Sequence, residues 1–284
     1  MVALKRMLLQ LLAAGVAGYG LLVLLLWLTQ DRLIYFPQVD RSAVATPATV
    51  KLPFESVRIT TADGETLAAW WVPVGTARPK GIVLLLHGNA GSIADRIAYL
   101  PHFNVMGYAV LLVDYRGYGA SSGSPTEQGT YLDAHAAWRW LAEQQGARPA
   151  DVVVVGESLG GAVAAELAAR MQPRALILVS TFTSIRELGA EIYPWLPVRL
   201  ISRYRYDTLA HLDVYRGPVL IAHSRDDEIV PYAHGERLYA AAAGSKTWLE
   251  LRGGHNTGFL FAQPAGVAAV SGFLARNPSA AGNK

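Results

Sequence analysis

The stretch Val152-Val153-Val154-Val155-Gly156-Glu157-Ser158-Leu159-Gly160-Gly161 decides how the chain folds. Four valines in a row, with no polar alternation, read as a strand covered on both faces, as in a parallel sheet enclosed by helices. Behind them the alanine-rich run to Met171 has helical length and composition. The serine between the two stands in the pattern Gly-x-Ser-x-Gly. A sharp strand-to-helix turn of this kind strains the serine backbone and lifts its hydroxyl above the sheet, while Gly156 and Gly160 let strand and helix approach. An N-capping serine in a glycine-rich turn gives the same letters. The strand before and the helix after make Ser158 the candidate nucleophile.

Outward from this turn, short β-branched runs recur at 57–61, 67–74, 82–86, 109–113, 175–179, 219–222 and 247–251. Ala62-Asp63-Gly64 joins the first two as a hairpin signal. Most later runs are separated by helix-length stretches at 92–105, 131–145, 160–171 and 233–243. This alternation predicts an α/β fold built on a mainly parallel sheet with an antiparallel edge.

In such a sheet, chemistry gathers at the carboxyl ends of the strands. A serine at the turn needs a base and an orienting acid later in the chain. Of the four histidines beyond Ser158, His255 alone combines a late position with a glycine-flanked loop, Gly253-Gly254-His255-Asn256, after a strand. The acid should follow the run 219–222, where Asp226, Asp227 and Glu228 are adjacent. Asp227 is the first choice and Asp226 the runner-up. The oxyanion of an attacked carbonyl requires fixed N–H donors. Leu159, next after the serine, offers one, and the loop His87-Gly88-Asn89-Ala90-Gly91 offers the other at Asn89. That loop lacks the Lys-Ser/Thr ending of a phosphate-binding loop and the third glycine of a dinucleotide fingerprint.

Composition narrows the field further. The 284 residues include no cysteine, which removes disulfides, thiolate metal sites and cysteine nucleophiles. A net charge of +3 with scattered Lys and Arg gives no footprint for nucleic acid. Residues 7–28 are almost wholly apolar and long enough to cross a bilayer, so they are expected to bind membrane lipid as a single transmembrane anchor. Lys5 and Arg6 before it favour a cytoplasmic N-terminus and an extracytoplasmic catalytic body. A cleavable signal is the rival reading, but the nearest small-residue triplet, Ala43-Val44-Ala45, lies too far downstream.

The elements HGNAG at His87, DYRGYGASSGSPTEQG from Asp114, GESLGG at Gly156, the carboxylate ahead of Val230-Pro231 and GGHN at Gly253 together resemble the α/β-hydrolase superfamily. More narrowly, they resemble its BEM46-like branch with the ABHD13-type membrane-anchored serine hydrolases. The resemblance covers essentially everything from Arg32 onward. It implies an eight-stranded sheet, no metal or organic cofactor, a triad of Ser158, Asp227 and His255, and an oxyanion hole at Asn89 and Leu159. Ser224 departs from the family pattern, which has glycine after the histidine.

The resulting division is a tip and anchor at 1–31, a connection at 32–53, a hydrolase domain at 54–276 and a flexible tail at 277–284. A short helical cap, an insertion at 180–218, is rich in aromatics and arginines and is expected to lie over the nucleophile. The expected substrate is a small acyl ester, thioester or amide, with a lipid or an acylated protein within reach. Acyl transfer to an alcohol or amine by the same triad is the alternative, and a non-catalytic binding role a remote third. Arg116, Asp133 and His135 are read as structural or solvated groups, and Trp70, Trp71, Trp138 and Trp140 as packing. If 7–28 spans a bilayer, the full chain stays with the membrane pellet after carbonate extraction; recovery in the supernatant would refute the anchor.

Overall fold

The computed structural model describes residues 1–37, 45–75 and 79–278. Positions 43 and 44 of the small-residue triplet, and the tail beyond 278, lie outside the described residues. Eight strands form one sheet: β1 (Glu55–Thr60), β2 (Thr66–Val72), β3 (Gly81–Leu86), β4 (Tyr108–Val113), β5 (Val152–Glu157), β6 (Ala175–Val179), β7 (Val219–Ser224) and β8 (Lys246–Leu251). Their order is β1-β2-β4-β3-β5-β6-β7-β8. Only β2 runs against its neighbours, through the hairpin with β1 and the pairing with β4; the other ladders are parallel. The expected mainly parallel sheet with an antiparallel edge is therefore what forms.

The helices are α1 (Val2–Leu28), α2 (Gln30–Ile34), α3 (Tyr99–Val105), α4 (Glu127–Gln145), α5 (Leu159–Met171), α6 (Ile185–Ile192), α7 (Val198–Ile201), α8 (Thr208–Val214), α9 (Tyr232–Ala241) and α10 (Pro264–Arg276). Central strands are buried on both faces, which explains their unbroken apolar sequence. In β3, Ile82, Leu84 and Leu86 face one core and Val83 and Leu85 the other. Trp70 and Trp71 point into opposite cores, and Trp138 and Trp140 pack against one of them, as expected.

Two elements differ from the sequence expectation. The stretch 92–105 is not one helix but a 3₁₀ turn over Ile93–Arg96 followed by α3. A capping box between Ser92 and Asp95 opens the turn. Restarting at Tyr99 places Pro101 in a first helical turn, where its missing N–H has no intrahelical partner to lose. The second difference is α10, which the sequence expectation omitted. Its signals are Pro264 at the first position and the helical spacing of Val267, Val270, Phe273 and Leu274.

Helix α1 has no buried residue and is, among the described residues, the one helix long and apolar enough to cross a membrane. The chain after it is not a bare tether. Gln30 and Tyr35 are buried, and Phe36 bridges to Ala90 in the glycine-rich loop after β3.

At the centre, α5 lies against β3 and β5 so closely that a Cβ on Gly160 would collide with the carbonyls of Leu86 and His87. A Cβ on Gly156 would meet the carbonyl of Gly160 and the side chain of Ala164. Neither neighbour is a flexible side-chain end. Gly160→Ala is therefore expected to destabilise the domain by about 1–3 kcal/mol, the usual cost of overpacking, read as a lower urea midpoint at unchanged slope.

Candidate active site

The turn after β5 puts Ser158 at φ 52° and ψ −117°, a conformation costly for any residue but glycine. Backbone ties hold it there. Its N–H donates to Val179 O at 2.9 Å, and its carbonyl accepts from Gly161 N–H at 2.9 Å and from the Thr181 hydroxyl at 2.6 Å. The hydroxyl projects over the carboxyl edge of the sheet, where Ser158 Oγ lies 3.0 Å from His255 Nε2. On the other side of the ring, His255 Nδ1 is 2.8 and 3.0 Å from the two carboxylate oxygens of Asp227.

The three adjacent carboxylates divide their tasks. Asp227 takes the imidazole and also accepts the N–H groups of Val230 at 2.8 Å and Ile229 at 3.0 Å. Asp226 accepts Gly253 N–H at 3.2 Å, and Glu228 accepts the backbone N–H of His255 at 3.0 Å. Asp226 and Glu228 thus hold the main chain of the loop whose side chain Asp227 orients. Sequence reading did not find this role for Glu228. The Ser224 departure is absorbed locally, because its hydroxyl accepts Asp226 N–H at 3.1 Å and its backbone keeps negative φ.

Burial pushes the Asp227 carboxyl up, but hydrogen bonds from the neighbouring histidine rings and from Val230 N–H outweigh it. They hold the group well below its ordinary range. Behind the glycine-rich loop, burial depresses His87 to about 3, so its ring is neutral at physiological pH. Its Nδ1–H then donates to Gly88 O at 2.7 Å. Burial likewise raises the adjacent Asp114 to about 7, and that carboxyl accepts Ile93 N–H.

Asn89 is fastened from three directions. Its carbonyl accepts Phe36 N–H at 2.9 Å and the Tyr118 hydroxyl at 2.8 Å, and its side-chain amide donates to Ile34 O at 3.0 Å. Among the described residues, neither Asn89 N–H nor Leu159 N–H has an intramolecular acceptor. Tyr118 belongs to the Asp114 motif and therefore acts on the site through Asn89. Arg116 of the same motif is structural, as expected, but its partner Asp133 is fully buried rather than solvated. Arg116 Nε donates to Asp133 at 2.9 Å, and its other guanidinium nitrogens grip Asp63 in the hairpin turn. His135 is paired with Glu166 at 2.9 Å. Sequence reading also passed over Glu157 inside the turn, which binds Arg96 through two hydrogen bonds of 2.9 Å and ties the 3₁₀ turn to the serine.

Above the serine lies a cavity of about 520 Å³. Phe182, Leu188, Ile192 and Trp195 of the expected cap, Ile229 and Leu26 of α1 contribute its apolar wall. Ser158, His255, Asn89 and Leu159 form its polar floor. No group of side chains suited to a metal ion occurs among the described residues.

The chain matches the α/β-hydrolase fold family over residues 81–203. Protein bem46 of Schizosaccharomyces pombe is 33% identical over 228 residues, 76% of each chain. The zebrafish (Danio rerio) lysophosphatidylserine lipase ABHD12 is 36% identical over 205 residues, 65% of this chain and 53% of that protein. Among solved structures, the Pyrococcus furiosus esterase Pf2001 superposes with a TM-score of 0.70 over 86% of this chain and 99% of its own, at 22% identity, a likeness of fold. The chain belongs to the BEM46-like family of the α/β-hydrolase superfamily. Its fold and its relatives are those of hydrolases.

Because the folded value of Asp227 is depressed, its ionised form favours the fold. That stabilisation is complete above the ordinary carboxylate value of 3.8 and is lost progressively as pH falls below it. Asp227→Asn is expected to lower Tm clearly at pH 7, with a deficit that shrinks steadily as pH falls from 3.8 toward the depressed folded value; a deficit that stays constant over that range would show that the carboxylate is not held ionised.

Proposed function

We propose that this chain is a membrane-anchored serine hydrolase that cleaves an acyl ester, thioester or amide through an acyl-enzyme. The observation that carries the reading is the continuous line from Ser158 Oγ through both His255 nitrogens to Asp227, facing two unpaired backbone N–H groups. Ser158 Oγ attacks the carbonyl carbon while His255 Nε2 takes its proton. Asp227 keeps the Nδ1–H tautomer and stabilises the imidazolium. The carbonyl oxygen, now anionic, is received by Asn89 and Leu159 N–H; one such donor is worth roughly 10²- to 10³-fold in rate. His255 then protonates the leaving group. Water, deprotonated by the same nitrogen, releases the acid and restores the serine.

An apolar cavity suits an acyl chain, and the kinship with a lysophosphatidylserine lipase favours a lipid over a soluble ester. In this reading α1 holds the protein in the bilayer, and Lys5 and Arg6 place the catalytic body on the extracytoplasmic side.

Ser158→Ala should abolish covalent labelling by a fluorophosphonate probe while leaving the fold intact, since one hydroxyl is removed from a half-open pocket. Labelling that persists would refute the assignment. Asp227→Asn should slow single-turnover acylation of an activated ester by about 10⁴-fold, the loss seen when a triad acid is amidated. Asp226→Asn, which loosens one backbone contact, should cost less than about tenfold. The reverse ranking would move the acid to Asp226.

A further inference from the structure

The cavity over Ser158 has an unusual wall. Leu26, Gln30 and Leu33, from the end of the apolar helix and the turn beyond it, line the same space as the cap. The face of α1 turned this way is a stripe at helical spacing, Tyr19, Val23 and Leu26, which Gln30 of α2 continues. Polar contacts fix it at both ends. Gln30 donates its amide to Ile201 O and accepts Arg203 N–H, both at 2.9 Å. Lower down, the Tyr19 hydroxyl donates to Trp195 O at 2.9 Å.

The lower contact sets a depth. Between Arg6 and Asp31 the 24 residues 7–30 carry no charge. As a helix they are about 36 Å long, against roughly 30 Å of hydrocarbon. Tyr19 stands twelve positions before Asp31, about 18 Å along the axis. Even if all the surplus length lies on the Asp31 side, Tyr19 and the Trp195 carbonyl bonded to it sit about 12 Å inside the hydrocarbon edge.

The cap has the surface for that position. Ile192, Tyr193, Trp195 and Leu200 are exposed, Leu200 at 88%, and Leu33 and Phe36 continue the apolar patch onto the chain after α1. Pro194 and Pro197 have no N–H to satisfy, and Tyr19 satisfies the carbonyl of Trp195, as a backbone group in lipid requires. Arg199 is neutralised by two hydrogen bonds to Glu187, at 2.9 and 3.0 Å. At the upper boundary Arg203 stacks on Trp27, 5.3 Å from the ring centroid, and pairs with Asp31, a pattern suited to headgroup depth.

We propose that the cap tip is immersed in one leaflet and that the catalytic cavity opens sideways into the bilayer, with the anchor helix as part of its wall. The occupant is a bilayer-resident acyl lipid. Its chain slides from the leaflet between α1 and the cap, and its carbonyl rises to Ser158 without crossing water. The role of the carbonyl rests on the hydrolase reading above; the immersion of the cap does not.

The chain has no cysteine, so single sites can be spin-labelled in the full-length protein reconstituted in phosphatidylcholine vesicles. Labels at Trp195→Cys and, as a second site should the first not fold, Leu200→Cys are compared with Val105→Cys, which is 89% exposed and lies outside the cavity. The cap labels should collide more with oxygen than with a water-soluble nickel chelate, and the Val105 label the reverse. Nickel access at the cap equal to that at Val105 overturns the proposal. This readout needs no turnover, so it stands apart from any failure of the hydrolase assignment. For the wall, Leu26→Trp should lower the ratio of kcat/KM for a decanoyl over an acetyl p-nitrophenyl ester by about tenfold, the scale on which an apolar pocket discriminates chain length. An unchanged ratio removes α1 from the pocket.

Discussion

The close approach of α5 to β3 and β5 is the constraint on which the rest of the site depends. With no side chain at Gly156 or Gly160, the helix settles onto the strand backbones. The chain reverses within one residue, and Ser158 is left with positive φ. That strain persists because backbone and Thr181 hydrogen bonds over-determine the turn, and because the strands beneath are buried on both faces and cannot yield. The same turn opens α5, so Leu159 N–H is free of any helical partner at the place where it faces the cavity.

Around this fixed point, the site is assembled by groups that hold backbone as much as by groups that touch the serine. Asp226 and Glu228 secure the histidine loop, Glu157 with Arg96 ties the 3₁₀ turn to the elbow, and Tyr118 and Phe36 hold Asn89. Most are charge-assisted or partly buried bonds, stronger than neutral, solvated ones. The Asp114 motif belongs to the same support. Arg116 joins the hairpin to α4 through Asp63 and Asp133.

The apolar N-terminal helix is continuous with this machinery through α2. Ile34 and Phe36 bond the Asn89 loop, and Gln30 bonds the cap. In the proposed reading, membrane attachment and the shape of the pocket are parts of one structure, since the segment that follows α1 is also the segment that steadies a candidate oxyanion donor.

Local signals in the sequence were enough for the elbow, the unbroken strands, the hairpin and the apolar helix, because each depends on neighbours within a few residues. The candidates Ser158, His255, Asn89 and Leu159, and the carboxylate run that holds Asp227, could be named for the same reason: each stands in a short motif at a strand end, and the sheet order brings those ends together. Tertiary structure alone decided the rest. Three carboxylates in a row look alike until the loop carrying His255 arrives from elsewhere in the chain and takes a different partner from each. Asp114, from the end of another strand, fixes the start of the 3₁₀ turn by accepting Ile93 N–H, and the burial of Asp133 follows from a guanidinium seventeen residues away. The wall that α1 gives the cavity depends on hydrogen bonds between residues more than 170 positions apart. No local pattern encodes such contacts, because their geometry exists only after the sheet has set where each loop must end.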